Sequence, residues 1–247
     1  MSINAERAVR RSGSGYRARW EGHNSAREKL ILRAAVELLE ESSPGADIAV
    51  QQVAKRAGLA KSVVYRRFSD REDLDRRVRS YLVEDFAAML DAELNISEGS
   101  VEEILTRSIQ SVAEWMSEHP RLHEFLRNGP TADEANTDAV SSLKARMAGK
   151  AREIIGSVAK SIEVDESAFR SLSTAVVTMV EGTLTQWVRD PNPDTNQSEV
   201  VADLATYAWY VLDGALQSAG LIIDPTAELV TVINQLPSLA SDDAVTR

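Results

Sequence analysis

With 247 residues and no cysteine, the chain is long enough for one large or two modest domains with real cores, and it excludes disulfide frameworks and thiolate metal sites. The formal net charge is −10, yet residues 1–80 carry 17 Lys and Arg against 11 Asp and Glu, and the rest carry 11 against 27. That asymmetry points to a basic N-terminal module that meets an anion, set on an acidic body; an unevenly charged solvated surface is the plain alternative.

No run approaches the roughly 18 apolar residues of a membrane span. Residues 1–24 are rich in arginine and serine, as transit peptides are, but lack an apolar signal core and a repeating apolar face. A soluble, cytoplasmic protein without a membrane partner is expected. The segment "ERAVRRSGSGYRARWEGHN" carries Arg7, Arg10, Arg11, Arg17 and Arg19, with Tyr16 and Trp20 between them. It reads as a basic arm that reaches a DNA groove, or else as a tail that adds only diffuse charge.

Helical periodicity follows. Leu30, Ile31, Ala34, Ala35, Leu38 and Leu39 keep a 3.6-residue repeat after Ser25, a suitable N-cap, and "SSPGAD" stops it. A short helix over residues 50–57 puts Val53, Ala54 and Ala57 on one face, Gly58 ends it, and a third helix begins near Lys61. Leu74, Val78, Tyr81, Leu82, Phe86, Met89 and Leu90 mark a long fourth helix. Val101 to Met116 gives a fifth, and Pro120 suits the first turn of a short sixth. After the polar "GPTADEANTD", Leu143, Met147, Ile154, Val158 and Ile162 mark a seventh; Leu172 to Val188 forms an eighth. The ninth, about residues 199–219, is apolar over most of its circumference and must be covered on more than one side, with Gly214, Ala215 and Ala219 allowing close approach. A second subunit or the centre of a monomer's core would satisfy it. No strand pattern or repeat is evident, so the fold class is all-α.

The stretch "AGLAKSVVYRRFSDREDL" carries the functional signal. A helix, a tight turn at Gly58 and a second short helix form a helix-turn-helix, which lays its second helix in the DNA major groove. Val64 and Phe68, four apart, face inward and fix the helix on its module. Lys61, Ser62, Val63, Tyr65, Arg66 and Arg67 are left around the rest, with Arg71 just beyond. Arginine binds guanine edges or phosphates, valine meets a thymine methyl, and tyrosine hydroxyls reach phosphates.

These residues resemble the TetR family of bacterial transcriptional regulators: "AAVELL", "VAKRAGLA" and "YRRFSDREDL" match its pattern over about residues 27–78. The departures are Ala49 and Ala60, where the family often has a hydroxyl opening the second and third helices. An alanine cap costs about 1 kcal/mol, and Asp47 is an alternative cap for the second helix. Arg67 and Arg71 replace the usual histidine and lysine and keep or add positive charge.

The resemblance implies a helix-turn-helix domain over 25–72, a helical ligand-binding and dimerisation domain over 73–236, and a tail over 237–247. It implies a homodimer through the eighth and ninth helices and a palindromic double-stranded operator. It also implies a small-molecule effector enclosed by the fourth to eighth helices, whose binding releases DNA with the fourth helix as lever. Phe86, Met89, Trp115, Phe125, Met147 and Trp187 are the candidate ligand-binding residues and suit a lipophilic effector. Ordinary core packing is the alternative for each, and Arg127 and Glu181 are candidate polar anchors. His119 and His123 have metal-ligand spacing, but Pro120 between them starts a new helix, so no metal and no cofactor are expected. No nucleophile–base constellation or phosphate loop argues for an enzyme. A regulator or activator without an effector, and a helical carrier that has lost DNA binding, are the competing readings. The first predicts no usable pocket; the second predicts that Tyr65→Ala and Arg66→Ala change nothing.

Overall fold

The computed structural model describes residues 25–43, 46–95, 97–128, 139–161 and 171–234. The basic arm with Arg10, Arg11, Arg17 and Arg19, the "GPTADEANTD" segment beyond Asn128, Ile162 and the C-terminal tail lie outside them. All regular structure among the described residues is helical, apart from one isolated bridge between Ser100 and Glu228. The helices are α1 (residues 25–41), α2 (Val50–Arg56), α3 (Lys61–Tyr65), α4 (Arg71–Glu93), α5 (Val101–Glu118), α6 (Pro120–Arg127), α7 (Ala139–Ser161), α8 (Leu172–Arg189), α9 (Gln197–Ser218) and α10 (residues 229–234).

The chain separates into two compact units, Met1–Tyr81 and Leu82–Arg247. The boundary falls inside α4, whereas the 72/73 division implied by the resemblance lies at the start of that helix. The reason lies in the first turns of α4. Arg77 pairs with Glu28 of α1 at 2.8 Å and stands over the Phe68 ring, which ties this part of α4 to the N-terminal elements.

In the N-terminal unit, Ile31, Ala34 and Ala35 of α1, Val53 and Ala54 of α2, Val64, Phe68, Leu74 and Val78 are buried. Leu30, placed on the apolar repeat, is half exposed, and Leu32 is buried instead. Arg56 of α2 binds Glu37 and Glu41 of α1. Gly58, at φ +66°, ends α2. Its N–H donates to the Lys55 carbonyl and the Leu59 N–H to the Ala54 carbonyl, the paired bonds of a Schellman turn.

In the helical unit, Ile109, Ala113 and Met116 of α5 pack with Leu184 of α8 and Val200, Val201, Leu204 and Ala205 of α9. Burying each large side chain contributes about 1.5–3 kcal/mol. Capping boxes open α5 at Ser100–Glu103 and α9 at Asn196–Glu199. After α9 the chain returns to the start of α5. The Glu102 N–H donates to the Pro225 carbonyl, and the Leu229 N–H to the Gly99 carbonyl, both at 3.1 Å.

Candidate nucleic-acid interface and the inner cluster of the helical unit

The short α3 divides as its spacing requires. Val64 and Phe68 are 1% and 2% exposed, whereas Lys61, Ser62, Tyr65 and Arg66 are exposed and Val63 and Arg67 half-buried. No acidic residue occurs from Arg56 to Ser69, so the outer face is cationic throughout. Lys61 Nζ stands 5.5 Å from the centre of the Tyr65 ring, and Arg66 Nε reaches the Ser62 carbonyl at 3.4 Å. These weak contacts within one helix leave both cations able to swing toward an anion.

Arg71, the candidate DNA contact beyond α3, is engaged within its own unit. Its guanidinium bonds Asp75 of α4 at 2.8 Å, Asp47 at 2.9 Å and the Ile48 carbonyl, so it fastens the segment before α2 to α4. Asp47 is therefore held by Arg71 and does not cap α2. Ala49 is the N-cap, and the Gln52 side chain accepts from its N–H at 2.9 Å. Ala60 opens α3 with no side-chain cap. Asp70 caps α4 by accepting from the Asp73 N–H at 2.7 Å. The Asp73 carboxyl, held below its usual pKa first by the Ser69 N–H, also pairs with Arg76 and Arg77.

In the helical unit, four of the six candidate ligand residues come together. Phe86 and Met147 are buried, and Met89 and Trp115 pack against them with Leu90, Leu94, Val112, Leu143 and Val177. The Phe86 and Trp115 rings lie 4.6 Å apart. Trp187 does not join them. It packs on the α5–α8–α9 core, and its indole N–H donates to the Thr195 carbonyl at 2.9 Å, fixing the loop before α9. Phe125, half-buried on α6, is not part of this group.

A polar network assembles on α6, α7 and α8. Glu181 pairs with Arg127 at 3.0 Å and with Lys144 at 3.4 Å, and accepts from Thr185 Oγ1 at 3.1 Å; Thr185 stands 3.5 Å from His123 Nε2. Burial, reinforced by the Arg127 charge, lowers the His123 pKa below the usual imidazole value, against the pull of Glu181. His119 lies between α5 and α6 while His123 sits inside α6, so the two do not share a helix face. Among the described residues no group of His, Asp or Glu is arranged to hold a metal ion. No described helix is long and apolar enough to cross a membrane.

A helix-turn-helix on a helical body defines the class: a DNA-binding transcriptional regulator. The family described as bacterial regulatory proteins, tetR family, matches residues 31–78. An uncharacterized HTH-type transcriptional regulator of Mycobacterium tuberculosis is 24% identical over 220 residues, covering 86% of this chain and 88% of the relative. A tetR-family transcriptional regulator from Streptomyces coelicolor has the same fold at TM-score 0.61 and 16% identity, covering 87% of this chain and 89% of that one. FadR from Bacillus subtilis, solved in complex with stearoyl-CoA, aligns at TM-score 0.54 and 16% identity over 73% of this chain and 96% of its own. Residues 31–78 thus match the DNA-binding part of the tetR family, and the chain as a whole is similar to TetR-family transcriptional regulators.

Proposed function

We propose that the protein is a homodimeric, cytoplasmic repressor that binds a palindromic operator and is released by a lipophilic small molecule. The observation that carries the DNA half is the division of α3, with Val64 and Phe68 anchoring it inward and Lys61, Ser62, Tyr65 and Arg66 left outward. Val63 and Arg67 complete the reading face, and the Arg10, Arg11, Arg17 and Arg19 arm adds phosphate contacts.

The dimer half is supported by α9. One face buries Val200, Val201, Leu204, Ala205 and Ala208 inside the unit, while Tyr207, Tyr210 and Val211 stand 50%, 64% and 40% exposed on another. Gly214, one turn beyond Tyr210, leaves room for close helix approach. A monomer's core helix would not leave two tyrosines and a valine in water, so a second copy of α8 and α9 is the natural cover. The effector half is supported by the cluster of Phe86, Met89, Trp115 and Met147, large and adaptable apolar side chains gathered from three helices. A ligand that prefers a spread dimer shifts the population away from the spacing of adjacent major grooves, with α4 as the lever.

The test is selection of random duplexes by the purified protein, followed by affinity measured between about 50 and 200 mM salt. Enrichment of a palindrome bound by a dimer with steep salt dependence supports the reading. A folded dimer that enriches nothing refutes it.

A further inference from the structure

The short α3 has little of its own to hold it in place. It spans five residues, Ala60 opens it with no side-chain cap, and a helix this short is marginal in water. Its direction depends on two inward side chains, Val64 and Phe68. Phe68 lies just past the helix, and its N–H donates to the Val64 carbonyl at 3.0 Å. Whatever holds the Phe68 ring therefore also sets how Lys61, Ser62, Tyr65 and Arg66 are presented.

Arg77 of α4 stands at that ring. Its guanidinium carbon is 5.5 Å from the centre of Phe68. Its Nη1 meets Glu28 of α1 at 2.8 Å, and its Nε meets Asp73 at 3.3 Å. A planar cation can bind two carboxylates along its edges and still lie against an aromatic ring, which a lysine ammonium cannot do. Asp73, 7% exposed, accepts from the Ser69 N–H at 3.0 Å with its other oxygen. One side chain thus joins α1, α4 and the turn that ends α3.

Resting on the regulator reading above, we infer that Arg77 is a positioning residue for operator binding, which carries the placement of α4 to Phe68 and so to the outward residues of α3. Its effect on DNA runs through the Phe68 anchor. Removing it leaves the cations of α3 in number as they were. The angle at which α3 is offered loosens, and more freedom is lost on binding. The same link makes a shift in the first turns of α4 move the end of α3, because the Phe68 ring and the Ser69 N–H are both held by α4 side chains.

The experiment compares the full-length protein with Arg77→Lys and Arg77→Met, using the duplex that the wild type selects and a temperature at which all are folded by circular dichroism. Operator affinity and its salt slope are read by anisotropy. Local opening is read by hydrogen exchange at the Phe68 and Ser69 amides, with Ala35 of α1 as the reference for global unfolding. Arg77→Lys keeps the charge, so a loss there is a loss of geometry. Both variants are expected to bind operator roughly three- to tenfold more weakly with the slope unchanged, and to exchange Phe68 and Ser69 faster while Ala35 stays protected. Full affinity in Arg77→Lys overturns the positioning role, whatever its amides do. Exchange that quickens equally at Ala35 means general destabilisation and also overturns it. A slope lower by about 0.9 in Arg77→Met makes Arg77 a phosphate contact instead. A wild type that selects no duplex refutes the regulator reading, and the positioning role with it.

Discussion

Arg71→Ala separates two jobs that an arginine at this place in the sequence can hold. Its guanidinium binds Asp75, Asp47 and the Ile48 carbonyl. Asp47 is 88% exposed, so that pair is heavily screened and contributes little. The charge-assisted bond to the Ile48 carbonyl and the pair with Asp75, whose side chain is 25% exposed, carry most of the effect. After discounting for solvent, their loss costs about 1–3 kcal/mol. In a unit of this size that lowers melting by roughly 4–8 °C per kcal/mol. The expected result is earlier unfolding of the N-terminal unit by circular dichroism, with the log–log salt slope of operator binding unchanged. Arg66→Ala should do the reverse, reducing the slope by about 0.9 while leaving melting alone. If Arg71→Ala flattens the slope by that amount without lowering the melting point, Arg71 is a phosphate contact and the fastening role is wrong.

Gly58→Ala meets no atom within 4 Å but forces a Cβ into φ +66°, so it should cost about 1–2 kcal/mol and show as a lower urea midpoint. Ala60→Ser supplies the missing cap of α3 and should stabilise by about 0.5–2 kcal/mol in the same assay, unless the hydroxyl fails to reach the helix. The pair Tyr210→Glu, Val211→Glu places charge on the exposed α9 face; sedimentation should report a monomer that still melts cooperatively and binds operator far more weakly, and a persistent dimer would count against this interface. His123 has a folded pKa below its unfolded value, so its stabilising effect is complete above the unfolded pKa and is lost as pH falls through the folded pKa. The melting temperature should therefore fall more steeply below about pH 6.5 in the wild type than in His123→Gln.

Much of the fold was legible along the chain because its signals are local. The 3.6-residue repeats mark the helices, Gly58 marks the turn between α2 and α3, and Pro120 marks the first residue of α6. The spacing of Val64 and Phe68 also set which side is buried: Phe68 lies in the turn just beyond α3, and its N–H still donates to the Val64 carbonyl at 3.0 Å, which keeps the two on one side. Composition alone separated a basic N-terminal part from an acidic body.

The rest depended on residues far apart in sequence. In the sequence Arg71 was only a positive charge beyond the third helix; its partners Asp47 and the Ile48 carbonyl come to it through the fold, and Asp47 then does not serve as a cap. Six large apolar residues looked alike, but only Phe86, Met89, Trp115 and Met147 share a cluster, because α4, α5 and α7 converge there while Trp187 serves the α5–α8–α9 core. Periodicity marked α9 as apolar on several sides without showing which side its own unit covers; tertiary packing leaves Tyr207, Tyr210 and Val211 outside.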